Sequence, residues 1–151
     1  MPRLRPKELM RLALDEAKTA FAENEVPVGA VLLFNDGGIL KAHNTSEALG
    51  PLSHAEIILI NKGLETKGRD ALKAATLYVT LEPCLMCLGA MVHARIGGLV
   101  YGAPEPVFGG VALLEKAWKE GRYPYRFPVH AGLLADETAI LMRDFFKTLR
   151  R

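Results

Sequence analysis

One imidazole and two thiols stand in this sequence at spacings that suit a metal ion. His54 is followed two residues later by a carboxylate in Ser53-His54-Ala55-Glu56, and Cys84 and Cys87 stand three apart in Glu82-Pro83-Cys84-Leu85-Met86-Cys87. Three nitrogen and sulfur ligands leave the fourth position of a tetrahedral zinc to water, the catalytic rather than the structural pattern. Zinc lowers the pKa of such a water toward ~7. Glu56 is then the general acid/base that moves its proton. A structural zinc wants a fourth protein ligand, for which His43 and His93 are the candidates. A Cys-x-x-Cys pair alone also fits a redox motif or a local disulfide, but neither uses the His-x-Glu pair.

The elements that must carry these residues are legible from periodicity. Between Lys7 and Glu23, apolar residues at Leu9, Met10, Leu12, Ala13, Ala17, Ala20 and Phe21 follow helical spacing and predict an amphipathic helix covering a sheet. Val26 to Phe34 reads as a buried strand, Asn35-Asp36-Gly37-Gly38 as a hairpin turn, and Ile39 to His43 as the returning strand. Pro27 and Gly29 at the strand entrance suggest either an edge or a close backbone approach. Asn44 to Pro51 is polar and reads as a loop.

Ser53 opens a buried helix to about Lys62, and Ser53-x-x-Glu56 also matches a capping box, a structural alternative for Glu56. Gly63 to Ala75 is a surface connection with a short helical piece. Thr76 to Leu81 is a strand by its β-branched and aromatic content, with Pro83 suited to the first position of a helix ending at Ala94. Both thiols then lie at a helix N-terminus, which favours thiolate. A strand at Gly98 to Gly102, an irregular loop to Gly110, a helix at Val111 to Glu120, an extended piece at Phe127 to Gly132 and a helix from Ala135 to Leu149 complete the order. Strands separated by helices imply parallel pairing in an α/β fold, a three-layer α/β/α sandwich.

With 151 residues, half of them apolar and no repeat or linker, one domain spanning 1–151 is expected. No apolar run reaches the ~18–20 residues of a membrane span, and Met1 to Pro6 lacks the apolar segment of a secretory signal. Two metal-ready thiols fit a reducing cytoplasm. The net charge of +2 is too small to announce nucleic-acid binding, which must come from local patches if present.

The His-x-Glu and Pro-Cys-x-x-Cys pair resembles the signature of zinc-dependent nucleoside and nucleic-acid deaminases. Val26-Pro27-Val28-Gly29-Ala30, His43-Asn44, Tyr78 to Cys87, Val92-His93-Ala94-Arg95-Ile96 and Asp144-Phe145-Phe146 extend the likeness to the bacterial tRNA adenosine deaminases, from Leu9 to Leu149. The resemblance implies a cytidine deaminase-like fold with a mixed sheet of about five strands. It also implies Zn2+ on His54, Cys84 and Cys87, Glu56 as the catalytic residue, and conversion of adenosine to inosine at the wobble position of a tRNA anticodon. By the same resemblance Asn44 contacts the target base or its ribose, Val28 lines the pocket, Phe146 packs near flanking anticodon nucleotides, and the protein is a homodimer that binds a tRNA anticodon stem-loop.

One stretch departs from the family. Where an acid, a lysine and a Gly-rich turn are usual, this chain has Pro104-Glu105-Pro106-Val107-Phe108-Gly109-Gly110. Glu105 stands in for the acid, Val107 replaces the lysine, and Phe108 offers either a stacking surface or a packing surface for a second copy. Basic residues for an anticodon arm are Arg95, Arg122, Arg126, Lys147, Arg150 and Arg151, although cations at a helix C-terminus are also ordinary dipole chemistry. The altered loop leaves open a deaminase of a free nucleobase or nucleoside, of guanine or cytosine type. A silent zinc module that binds RNA or a partner is the third reading.

Overall fold

The computed structural model describes residues 3–149. Helix α1 (Pro6–Ala22) is followed by the hairpin β1 (Gly29–Leu33) and β2 (Ile39–His43), then by α2 (Ser46–Leu49), α3 (Ala55–Thr66) and α4 (Arg69–Lys73). The second half alternates: β3 (Thr76–Leu81), α5 (Leu85–Ala94), β4 (Gly98–Ala103), α6 (Val111–Lys119), β5 (Val129–His130) and α7 (Ala135–Leu149).

The five strands form one sheet in the order β2-β1-β3-β4-β5. Side chains alternate across it as the pleat requires. Leu77 and Val79 of β3 join Ala30 and Leu32 of β1 in a core shared with Leu59, Leu88 and Met91 from α3 and α5. Tyr78 and Val31 face the opposite way, against Leu9, Met10 and Ala13 of α1. Helices therefore cover both faces of a mixed sheet, the expected three layers.

Parallel pairing is correct only for the second half. β3–β4 and β4–β5 are parallel, whereas β1 is antiparallel to both β2 and β3. The hairpin leaves β1 with one free edge, and β3 takes it. The crossover through α3 and α4 joins β2 to β3, two strands that run the same way with β1 between them.

Local boundaries also shift. Asn44 to Pro51 contains the four-residue helix α2, too short to leave a periodic signal. Helix α3 begins after an N-cap at His54, one residue past Ser53, and runs on to Thr66. Ser53 forms no capping box; its hydroxyl lies 2.6 Å from that of Thr45. Pro83 is outside α5, whose N-cap is Cys84.

Gly29 explains its own presence. A Cβ there would lie 1.9 Å from the Ala13 carbonyl oxygen and 2.5 Å from the Ala17 amide. The close approach read from sequence is thus that of β1 to the α1 backbone, a distance only glycine permits.

Candidate metal centre

Two helix starts converge to build the site. His54 is the N-cap of α3 and Cys84 the N-cap of α5, so the residues that open both helices bear ligands. Cys87 follows in the first turn of α5, and Glu56 is the second residue of α3. His54 Nδ1 lies 3.7 Å from Cys84 Sγ and 3.5 Å from Cys87 Sγ. Tetrahedral zinc with S and N ligands at its usual bond lengths separates such atoms by about 3.6 Å. The donor set fits the ion in type and in spacing.

Among the described residues no fourth His, Cys, Asp or Glu joins this group. His43 is held elsewhere, between Glu16 at 3.3 Å and Glu23 at 2.8 Å. His93 is exposed on the last turn of α5. The three-ligand arrangement matches the catalytic pattern of zinc sites.

The electrostatics follow from crowding. A hydrogen bond from Cys87 outweighs burial and, with His54, holds the Cys84 thiol at about 4. Cys87 is pushed up by that same bond and by burial. His54 is raised, first by Cys84 against the opposing effect of burial, and further by Glu56 and the Pro51 carbonyl. Glu56 is 3% exposed, and burial raises its carboxyl above the ordinary range. A bound dication would stabilise thiolate at both, reinforcing the direction at Cys84 and reversing it at Cys87.

The other expected residues are distributed unevenly. Val28 is partly buried and packs on the same core as α3 and α5. Asn44 is buried and cross-links the chain: its backbone amide donates to Val28 O at 3.0 Å, its Nδ2 to Val26 O at 3.2 Å, and its Oδ1 accepts from the Ser46 amide at 3.1 Å. The last of these is the turn-forming habit of asparagine. Phe146 lies on α7, edge-on to Phe145 at 5.5 Å, and Phe145 in turn packs on Phe21 of α1. It stands with the layer opposite α3 and α5.

Two acids organise the surroundings: Glu25, missed from sequence, and Glu82, readable there as a capping or structural acid. Glu25 is buried and accepts from the Glu47 and Ala48 amides, both at 2.8 Å. It fixes the start of α2 beside the strand entrance. Glu82 is the structural acid its position suggested, accepting from the Glu105 amide at 3.0 Å and the Val111 amide at 3.1 Å. A charged residue abutting the Val26-Pro27-Val28 run was the only sequence signal for Glu25.

Among the basic residues, Arg95 lies over the Tyr125 ring at 5.5 Å, Arg122 is 3.8 Å from Glu120, and Arg126 donates to the Trp118 carbonyl. Arg150 and Arg151 lie outside the described residues. A shallow groove of about 640 Å³, lined by Pro6, Tyr78, Val100 and His130 among others, contains none of the metal-site residues.

Residues 5–103 match the cytidine and deoxycytidylate deaminase zinc-binding region. The chain is 40% identical over 143 residues to the tRNA-specific adenosine deaminase of Bacillus subtilis (strain 168), an alignment spanning 94% of this chain and 89% of that one. A structure from biochemical and structural studies of A-to-I editing by tRNA:A34 deaminases at the wobble position of transfer RNA has a TM-score of 0.80 and 38% identity, covering 88% of this chain and 97% of its own. The guanine deaminase from Nitrosomonas europaea shares the fold, with a TM-score of 0.74 and 24% identity over 95% of this chain and 86% of its own.

Proposed function

The chain belongs to the cytidine and deoxycytidylate deaminase zinc-binding family, and we propose that it hydrolyses adenosine to inosine at the wobble position of a tRNA anticodon. The observation that carries the chemistry is the convergence of three metal ligands and a buried carboxylate at the starts of α3 and α5. His54, Cys84 and Cys87 hold zinc. Bound there, zinc supplies the Lewis acidity that makes water nucleophilic near neutral pH.

Glu56 accepts a proton from the attacking water and returns protons to the purine N1 and to the leaving amine. Water adds at C6, the C6–N6 bond breaks, and ammonia departs, leaving the C6 carbonyl of inosine. Burial raises the Glu56 carboxyl above the ordinary carboxylate range, the direction that favours giving a proton back.

Val28 lines the base pocket and Asn44 meets the target base or ribose. The hydrogen bonds that tie Asn44 to Val26 and Val28 support a shared wall. Phe146 packs near flanking nucleotides from the last turns of α7. The single five-stranded sheet supports reading 1–151 as one deaminase domain. No helix of the described residues is long and apolar enough to cross a membrane. The protein works as a cytoplasmic homodimer in this reading.

The test is incubation of zinc-loaded protein with an anticodon stem-loop carrying adenosine at the wobble position, alongside free adenosine, adenine, guanine and cytidine. Inosine in the stem-loop alone is the expected result. Turnover of a free base with an untouched stem-loop would move the protein to small-molecule deamination.

A further inference from the structure

The loop joining β4 to α6 is built around two carboxylates. Glu82 accepts from the amides of Glu105 and Val111, one at each of its oxygens. Glu105 Oε2 in turn accepts from the Val107 amide at 3.1 Å and from the Phe108 amide. The Gly109 amide donates to Glu105 O at 3.1 Å, and the Gly110 amide to Pro83 O at 3.0 Å. A Cβ on Gly109 would lie 2.4 Å from both the Glu105 carbonyl oxygen and the Glu82 carboxyl. Pro104 and Pro106 fix two further φ angles. This is a rigid loop.

Its rigidity holds two apolar side chains in water. Val107 is 77% exposed and Phe108 74%. Their backbone is held by the amides that both residues donate to Glu105. Gly109, next to Phe108, pairs as a β-bridge with the metal ligand Cys84. The loop that exposes the phenyl ring is thereby joined to the metal centre through its backbone.

We infer that Phe108 is a stacking platform for an unpaired nucleobase that neighbours the target nucleotide in the substrate RNA. This rests on the RNA reading of the preceding subsection. Three observations select a base. Phe108 directly precedes Gly109, whose backbone bridges the metal ligand Cys84, so the exposed ring belongs to a loop anchored at the metal centre. Pro104 to Gly110 contains no lysine or arginine and one acid, so the loop has no cation to offer a phosphate. A flat aromatic face on a fixed support is what splayed-out loop bases stack on, and every base presents a π-face to it.

The test uses the zinc-loaded full chain and the anticodon stem-loop, with 2-aminopurine placed at either nucleotide flanking the target. Expected is quenching at one flanking position on binding, retained in Phe108→Tyr and Phe108→Trp and lost in Phe108→Leu. Phe108→Leu and Phe108→Ala are expected to raise KM for the stem-loop roughly 5- to 150-fold, the equivalent of ~1–3 kcal/mol per stacked base, with kcat at saturation unchanged. A wild-type KM and quench in Phe108→Leu on a working enzyme would overturn the stacking role alone. A KM rise accompanied by a drop in sedimentation coefficient would also overturn it, since Phe108 would then belong to an interface between copies. Wild-type protein that leaves the stem-loop unedited would overturn the RNA reading and this inference together.

Discussion

The buried carboxylate of Glu25 accepts a hydrogen bond from the backbone amide of Ala48, 23 residues further along the chain, at 2.8 Å. With the equivalent bond from Glu47, it anchors α2 to the strand entrance that leads into Val28. Glu25→Ala removes both bonds from the amides of the exposed residues Glu47 and Ala48, and such bonds contribute about 0.5–1.5 kcal/mol each. The expected outcome is a lowered urea midpoint together with faster hydrogen exchange at Glu47 and Ala48. Unchanged exchange at those two amides would show that α2 is held by something else.

Glu56→Gln and Glu56→Ala should retain one zinc per chain while kcat falls ~10²–10⁴-fold, the range for a removed general acid/base. Elemental analysis beside single-turnover kinetics separates the two effects. A variant that loses metal as well as turnover would make Glu56 a supporting group of the centre.

Cys87→Ser, by contrast, should fail to hold stoichiometric zinc. Chelation of wild-type protein should lower its melting temperature, and zinc at 100 times its Kd should restore ~2.7 kcal/mol through linkage. A melting curve indifferent to chelator would contradict the ligand set.

His43 sets a pH dependence of stability. Burial acts to lower its pKa, but the hydrogen bonds it donates to the Glu23 and Glu16 carboxylates outweigh that and raise it. A raised folded pKa contributes stability fully present below the unfolded value of ~6.5 and lost as pH rises through the folded value. Between about pH 6 and pH 8.5, zinc-loaded wild type should therefore lose more stability than His43→Gln. Parallel urea midpoints for the two proteins would remove the bridge from the account.

Gly29→Ala should cost about 3 kcal/mol or more, because a 1.9 Å contact with the Ala13 carbonyl forces α1 off the sheet. Gly89→Ala, whose Cβ meets nothing within 4 Å on helix α5, should instead gain about 0.5–1 kcal/mol. Thermal melts of the pair give opposite signs.

The sequence displayed the centre more clearly than its setting, and the reason is chemical. His54, Cys84 and Cys87 are legible because soft ligands at short spacing have few other uses, and Glu56 stands two residues from one of them. Glu25 was not legible as a support, because its partners are backbone amides 22 and 23 residues away, which carry no residue identity. The three layers followed from periodicity. The antiparallel β1–β3 pair did not, since element order does not say which edge of a hairpin a later strand will take.

That ligands cap both helices has a consequence for the chain as a polymer. His54 and Cys84 are 30 residues apart, so an ion bridging them fastens a loop that contains α3, α4 and β3. Closing a loop of that length removes conformational freedom chiefly from the unfolded chain. The ion is thus a reversible cross-link as well as a reagent, and chelation should speed unfolding of the segment between its ligands before it disturbs α7.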